Sequence, residues 1–189
     1  MVETLMAPAM SAAGEPAELE DARLVRDLGR GDAAAFETVY RRRSRSIYGL
    51  AYHLCGRHGD AEELAQEVFV RLWQHRADFA SGEHLDRWLR RVTVNTWITQ
   101  LRRAREPSFE ALQEDGFPEP QAPPTHAGGA GVDIERALAT LSPALRAVVV
   151  LFDVYGLRHE EIAELVGITA GSSKVQLHRA RQRLKEWLQ

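Results

Sequence analysis

One cysteine, Cys55, stands in the 189 residues. A single thiol excludes an internal disulfide framework and fits a reducing cytosol. Long apolar runs are missing too: stretches such as AVVVLF fall far short of the ~18 residues needed to span a bilayer, so no membrane insertion is expected. The first ten residues, MVETLMAPAM, hold no Lys or Arg, so no secretory leader is expected and the protein is read as cytoplasmic. No period-2 alternation of apolar residues stands out, which argues against sheet. Phosphate-cradling glycine loops are absent, and no region assembles a nucleophile, a base and an orienting group. The chain is therefore not expected to be an enzyme or to carry a cofactor. His53, Cys55 and His58 are close in sequence but lack the spacing of a tetrahedral zinc site, so no metal is expected. Cys55 reads instead as a small, buried apolar group.

Charge of one sign is missing from three stretches. Before Ala22 there are five acids (Glu3, Glu15, Glu18, Glu20, Asp21) and no cation. From 108 to 131 there are four acids (Glu110, Glu114, Asp115, Glu119) and again no cation. Conversely, Lys174 to Lys185 gathers Lys174, Arg179, Arg181, Arg183 and Lys185 without an Asp or Glu. Between these stretches, 22 to 107 holds sixteen Arg against eleven acids, a net of +5, and 132 to 189 holds eight cations against seven acids. The formal total of -3 thus masks two modules that are basic or locally basic. Net charge bears on long-range attraction and not on fold, so nucleic acid stays open as a partner, bound weakly by the free chain.

The apolar residues that are present follow helical periods. Phe36, Val39, Tyr40, Arg43, Ile47, Leu50, Ala51 and Leu54 form one stripe on a long helix. GRHGD breaks the chain, and Asp60 with Glu63 reads as the capping box of a helix burying Ala61, Leu64, Ala65, Val68 and Leu72. RADFASGEHLD is a loop before a helix from about Leu85 to Arg103. Five Pro and four Gly in 106–131 mark a linker. Helices resume at Asp133, and Ser142-Pro143 supplies an N-cap and a first-turn proline for a helix that Gly156 stops. The expected fold is all-α: two small helical domains joined by a flexible acidic linker. Residues 1–19 form a disordered tail, 20–106 the first domain, 107–131 the linker and 132–189 the second domain.

The second domain ends in two helices around a tight turn. The first spans His159 to Val166, Gly167 makes the turn, and Thr169 caps the second. The second helix is expected to bury Val175, Leu177, Ala180, Leu184 and Trp187 or Leu188. This is a helix-turn-helix, whose second helix enters the DNA major groove. Its N-terminal N–H groups suit phosphate, and Ser172, Ser173, Lys174, Gln176, His178 and Arg179 are spaced to reach the groove and its rims. Gln pairs with adenine and Arg or Lys with guanine, each good pair worth ~1–3 kcal/mol of discrimination. Arg181, Arg183 and Lys185 read as backbone or solvent charges.

These motifs resemble bacterial sigma factors of the extracytoplasmic-function (ECF) group. LSPALRAVVVL, EEIAELVGI and KVQLHRARQRL stand in the order and spacing of region 4. DAEELAQEVFVRLW is similar to the core-binding helix of region 2, and HLDRWLRRVTVNTWITQLRR to its promoter-melting segment. The resemblance covers about Asp21 to Gln189, apart from the linker. It implies a subunit that binds core RNA polymerase and directs initiation, region 4 reading the minus-35 element and region 2 capturing a melted minus-10 strand. It also implies the partners: promoter DNA, the clamp helices of the largest core subunit, the flap for region 4, and an anti-sigma factor. The alternative is a stand-alone helix-turn-helix regulator that binds duplex DNA without core.

Under the resemblance, Asp60, Glu63, Gln66, Glu67 and Val70 form the core-docking face, lying opposite the apolar stripe of their helix. Phe79, Ser81, His84 and Trp88 are expected around an unstacked base, which needs stacking and edge hydrogen bonds. Trp88 and Trp97 are equally compatible with a place in the core. Arg87, Arg91, Arg102 and Arg103, together with Arg90 and Arg105, are expected on phosphates. Asn95 matches a recurrent Asn of the melting helix, whereas Thr99 stands where the family usually has Asp. In the family the linker threads toward the RNA path, and the acids of 108–131 suit that placement; a solvated tether explains the same composition. Gln176 stands where relatives often carry Arg and marks the first position to examine for promoter preference.

Overall fold

The structure, a computed structural model, describes residues 15–104 and 130–187. The expected N-terminal tail up to residue 14 and the expected linker from 107 to 129 lie outside the described residues, as do Arg105 and Leu188; the expected ends of tail and linker are corrected, since 15–19 and 130–131 are helical. Every described element is helical. Helix α1 spans Glu15–Gly29, α2 Ala33–Cys55, α3 His58–Gln74 and α4 Gly82–Ala104, with a 3-10 turn at Arg76–Asp78.

Each boundary in the first half has a local cause. Asp32 caps α2, its Oδ1 accepting from Ala34 N at 2.7 Å and Ala35 N at 3.3 Å. Gly56 ends α2 in the left-handed region at φ 73°, where a Cβ is unfavourable. The expected capping box at Asp60 is corrected: α3 begins two residues earlier, at His58. Asp60 sits in its first turn, with Arg57 Nε donating to its Oδ2 at 2.7 Å. That carboxylate still lies near the positive end of the helix dipole.

The long stripe of α2 buries Ala35, Val39, Ile47, Leu50, Ala51 and Leu54 against Leu64, Val68, Phe69 and Leu72 of α3. Leu85, Leu89, Val94, Trp97 and Ile98 close the core from α4. Trp97 thus belongs to the core. Tyr40 and Arg43 lie at the edge of the expected stripe. Tyr40 is exposed and meets Phe69 edge-on at 4.8 Å. Arg43 ties three helices together, donating from Nε to Asp86 of α4 at 2.6 Å and from Nη2 to Asp21 of α1 at 3.4 Å.

The second half comprises α5 (Ala130–Ala139), α6 (Pro143–Val149), α7 (His159–Val166) and α8 (Ala170–Trp187). Ser142 and Pro143 open α6 as expected, although the Ser142 hydroxyl makes no capping bond. Beyond Val149 the helix widens into a π turn at Val150–Val154, which keeps Val150 and Leu151 buried before Gly156 turns the chain. Gly167, at φ 79°, makes the tight turn between α7 and α8. Ser172 N donates to Thr169 Oγ1 at 3.0 Å, the expected cap of α8.

The two halves touch. Buried Leu138, Leu145, Ile162 and Leu177 belong to the same apolar cluster as Leu54 and Leu89. Polar contacts reinforce the seam: Tyr52 donates to Glu135 Oε2 at 2.9 Å, and Arg91 Nη2 to Glu164 Oε1 at 2.7 Å. At the centre of the seam lies half-buried Arg146, a residue that no sequence motif singled out. Its Nε donates to Leu138 O at 2.8 Å, Nη2 to Ala139 O and Leu141 O at 3.0 and 3.3 Å, and Nη1 to Leu54 O and Cys55 O at 3.4 and 3.3 Å.

Candidate nucleic-acid interface

Helix α8 sorts its side chains sharply. Ser173, Leu177 and Ala180 are buried, and Leu184 packs against the core. Ser173, expected to reach DNA, is corrected: it is fully buried, its hydroxyl 2.9 Å from His159 Nδ1, and His159 in turn stacks on Phe152 at 4.6 Å. Val175 and Trp187, expected inward, are corrected in the other direction, being 51% and 39% exposed. Ser172, Lys174, His178 and Arg179 face solvent. Gln176 is half-buried, with its Oε1 enclosed. Arg181 also has a structural role that its sequence position did not reveal. Its Nε and Nη2 both donate to the carboxylate of Asp153, Nε at 3.1 Å, and this bracket ties α8 to the π turn.

Helix α7 holds the other side of the motif. Glu161 caps it, accepting from Arg158 N at 2.9 Å. That bond and the nearby Arg158 guanidinium hold the Glu161 carboxyl below the usual carboxylate range.

In the first half, Phe79, His84 and Trp88 do come together. Phe79 meets Trp88 edge-on at 5.1 Å and His84 at 5.9 Å, while His75 lies 5.9 Å from Trp88. Ser81 anchors the group, its Oγ accepting from His84 N at 3.2 Å as α4 begins. Phe79 and Trp88 are half-buried, so the cluster leans on the core while His84 and Ser81 stay exposed. His84, Arg87, Arg91 and Asn95 then follow at i, i+3, i+7 and i+11, one exposed ridge of α4. Arg103 is exposed further along, and the side chain of Arg102 lies outside the described residues. Aromatic faces beside a cationic ridge suit a single strand, whose bases stack and whose phosphates need cations. Thr99 makes no link to the Asn95 side chain; its hydroxyl donates to Asn95 O at 2.8 Å.

Two ridge arginines have acidic partners within the chain. Arg87 Nη2 donates to Glu83 at 2.7 Å, and Arg91 reaches across the seam to Glu164 of α7. Both partners of the Arg91 pair are largely exposed, so the pair adds little stability. Glu164→Gln is expected to lower the thermal unfolding midpoint by less than about 4 °C. Circular dichroism on heating checks this, and a larger fall would make the pair a structural tie.

On α3, the expected docking residues divide. Glu63, Gln66 and Val70 are exposed, Val70 at 57%. Trp73, which sequence reasoning missed, extends the same ridge. Its ring meets Phe36 edge-on at 5.3 Å and carries the Arg76 guanidinium at 4.6 Å. Glu67 is instead a link inside the fold, accepting from Arg71 Nη2 at 2.6 Å and from Gln100 of α4 at 3.3 Å. An open groove of about 330 Å³ lies between α2 and α3 beside this ridge, lined by Tyr40, Tyr48, Gln66 and Phe69 among others.

The His53–Cys55–His58 stretch assembles no metal centre. His58 Nδ1 lies 2.6 Å from the Tyr48 hydroxyl, and burial, with Asp60 nearby, pushes the Cys55 thiol up to about 12. A protonated thiol is a poor ligand. Among the described residues no group of three His, Cys, Asp or Glu side chains is placed to hold an ion. Among them, too, no helix is long and apolar enough to cross a membrane.

A helix-turn-helix with a cationic outer face, joined to a helical module with an aromatic and arginine-rich ridge, defines a DNA-binding protein of two helical modules. Residues 39–106 match the family described as Sigma-70 region 2, and residues 131–184 match Sigma-70, region 4. The chain is 36% identical over 166 residues to ECF RNA polymerase sigma factor SigE of Mycolicibacterium smegmatis, covering 84% of this chain and 64% of that protein. It is 30% identical over 171 residues to ECF RNA polymerase sigma factor SigM of Mycobacterium tuberculosis, covering 90% of this chain and 86% of that protein. Among solved structures, the sigma factor RpoE of Bartonella quintana, in complex with the anti-sigma factor NepR, is similar at TM-score 0.60 and 25% identity, covering 81% of this chain and 96% of that one. The chain belongs to the ECF RNA polymerase sigma factor family.

Proposed function

We infer that this chain is the promoter-recognising subunit of a bacterial RNA polymerase and works in the cytoplasm. One observation carries the reading: a region 4 helix-turn-helix and a region 2 helix with an aromatic–arginine ridge stand in one chain. Residues 20–106 serve core binding and minus-10 capture, and 132–189 serve the minus-35 element. The exposed ridge of Glu63, Gln66, Val70 and Trp73 offers core an apolar and acidic face, suited to the basic clamp helices of the largest subunit. Region 4 docks on the flap. Catalysis of RNA synthesis is the polymerase's, this chain supplying recognition. Core holds both DNA-binding modules at the promoter together, so neither needs high affinity alone. That accounts for a chain whose total charge is slightly negative. An anti-sigma factor is a fitting regulator, since the Bartonella relative is bound to one.

Mixing the full chain with sigma-free core on a promoter template is expected to give specific run-off transcripts that require both components. Duplex binding with no core-dependent transcript would favour the stand-alone regulator instead.

A further inference from the structure

We propose that Val175 reads the 5-methyl group of a thymine in the minus-35 element. The assignment rests on the reading of α8 as a promoter-recognition helix and specifies what that helix reads. At about 3.6 residues per turn, buried Ser173, Leu177 and Ala180 fix the inward face of α8. The ridge opposite to it runs through Ser172, Val175 and Arg179, all exposed. Val175 therefore stands at the middle of the surface that enters the groove, whereas half-buried Gln176 lies about a quarter turn to one side.

A valine at that place stands outside the apolar core. It is 51% exposed on a helix whose other outward residues there are polar, and a β-branched side chain favours a helix less than most alternatives. It offers no donor or acceptor, so it cannot pair with the hydrogen-bonding edges of guanine, adenine or cytosine. In the major groove, thymine alone presents a methyl group, and apolar side chains are what contact it. Ser172 and Arg179, one turn to either side, supply the polar contacts that fix the helix on the flanking pairs and phosphates. Val175 then discriminates thymine from cytosine at one position through the methyl group, which cytosine lacks.

The test uses the holoenzyme formed from core and the full chain. A minus-35 sequence is first selected from randomised promoter duplexes, and each of its thymines is then replaced singly by deoxyuracil, which lacks only the methyl. One replacement is expected to weaken binding about four-fold, the size of one buried methyl. The same replacement is expected to change nothing for Val175→Ala, whose affinity for the unmodified duplex already matches that of wild type on the uracil duplex. A selected element without thymine, a set of replacements with no effect, or an equal loss in wild type and Val175→Ala overturns the assignment. Holoenzyme that selects no minus-35 sequence at all overturns the promoter reading beneath it.

Discussion

Arg146→Met is expected to cost the fold about 2–4 kcal/mol, the largest loss from any single substitution argued for this chain. Methionine keeps much of the length and apolar stem of arginine, so the change isolates the guanidinium. That group serves the ends of two helices at once. Nε and Nη2 satisfy Leu138 and Ala139 at the end of α5 and Leu141 beyond it, while Nη1 reaches Leu54 and Cys55 at the end of α2. Terminal carbonyls have no partner within their own helix, and a cation there also opposes the negative end of the dipole. Burial lowers the pKa of Arg146, but a guanidinium remains charged at any pH at which proteins are studied. Removing it strands several half-buried acceptors, each costing more than a lost surface contact. At this chain length the midpoint of thermal unfolding should fall by roughly 6–12 °C. Arg146→Lys should recover only a minor part, since one ammonium cannot reproduce the planar fork. A calorimetric midpoint within about 2 °C of wild type for Arg146→Met would remove Arg146 from the structural core.

The neighbouring Gly56 belongs to the same construction. A Cβ at Gly56 would stand 2.9 Å from Arg146 Nη1, and its φ of 73° disfavours any other residue. The sequence showed Gly56 as a helix breaker within GRHGD. It could not show that the break also leaves room for a guanidinium 90 positions later.

That contrast describes what could be read from the sequence in advance. Period, caps and turn residues act over a few positions, so α2, α3, α6 and the helix-turn-helix were legible from their own segments. The bonds of Arg146 were not, because they end on backbone carbonyls, which leave no trace in residue identity. Glu67 shows a related limit: helical spacing puts it on the outward side of α3, but Gln100 and Arg71 turn it into a link between helices. On α8, apolar character and helical phase point different ways: valine is apolar, but the phase set by Leu177 and Ala180 places Ser173 inward and Val175 outward. Periodicity, taken strictly, would have found this, since Ser173 lies four residues before Leu177.

The core-docking face proposed on α3 gives the second large effect. Val70→Lys is expected to weaken assembly with core RNA polymerase about 30-fold, with no change in fold. Val70 is more than half exposed and lies between Gln66 and Trp73 on one ridge of α3. Replacing it empties no cavity, so the cost in stability should stay within about 0.5 kcal/mol. Its expected cost in binding comes from two sources. The substitution removes an apolar contact near the centre of the ridge, where binding energy concentrates. It also sets a cation beside Glu63 and Gln66, on a face whose acidic character matches a basic coiled coil. Together these amount to about 2 kcal/mol, which is the 30-fold change. Glu67→Lys would be a poorer probe, because it would also break the bonds to Arg71 and Gln100 and set two cations side by side on α3. Titrating labelled core with wild type and Val70→Lys gives the ratio of dissociation constants, and thermal unfolding of each free chain supplies the control. A ratio below about two, with midpoints unchanged, would move the docking surface away from Val70 and toward the groove between α2 and α3.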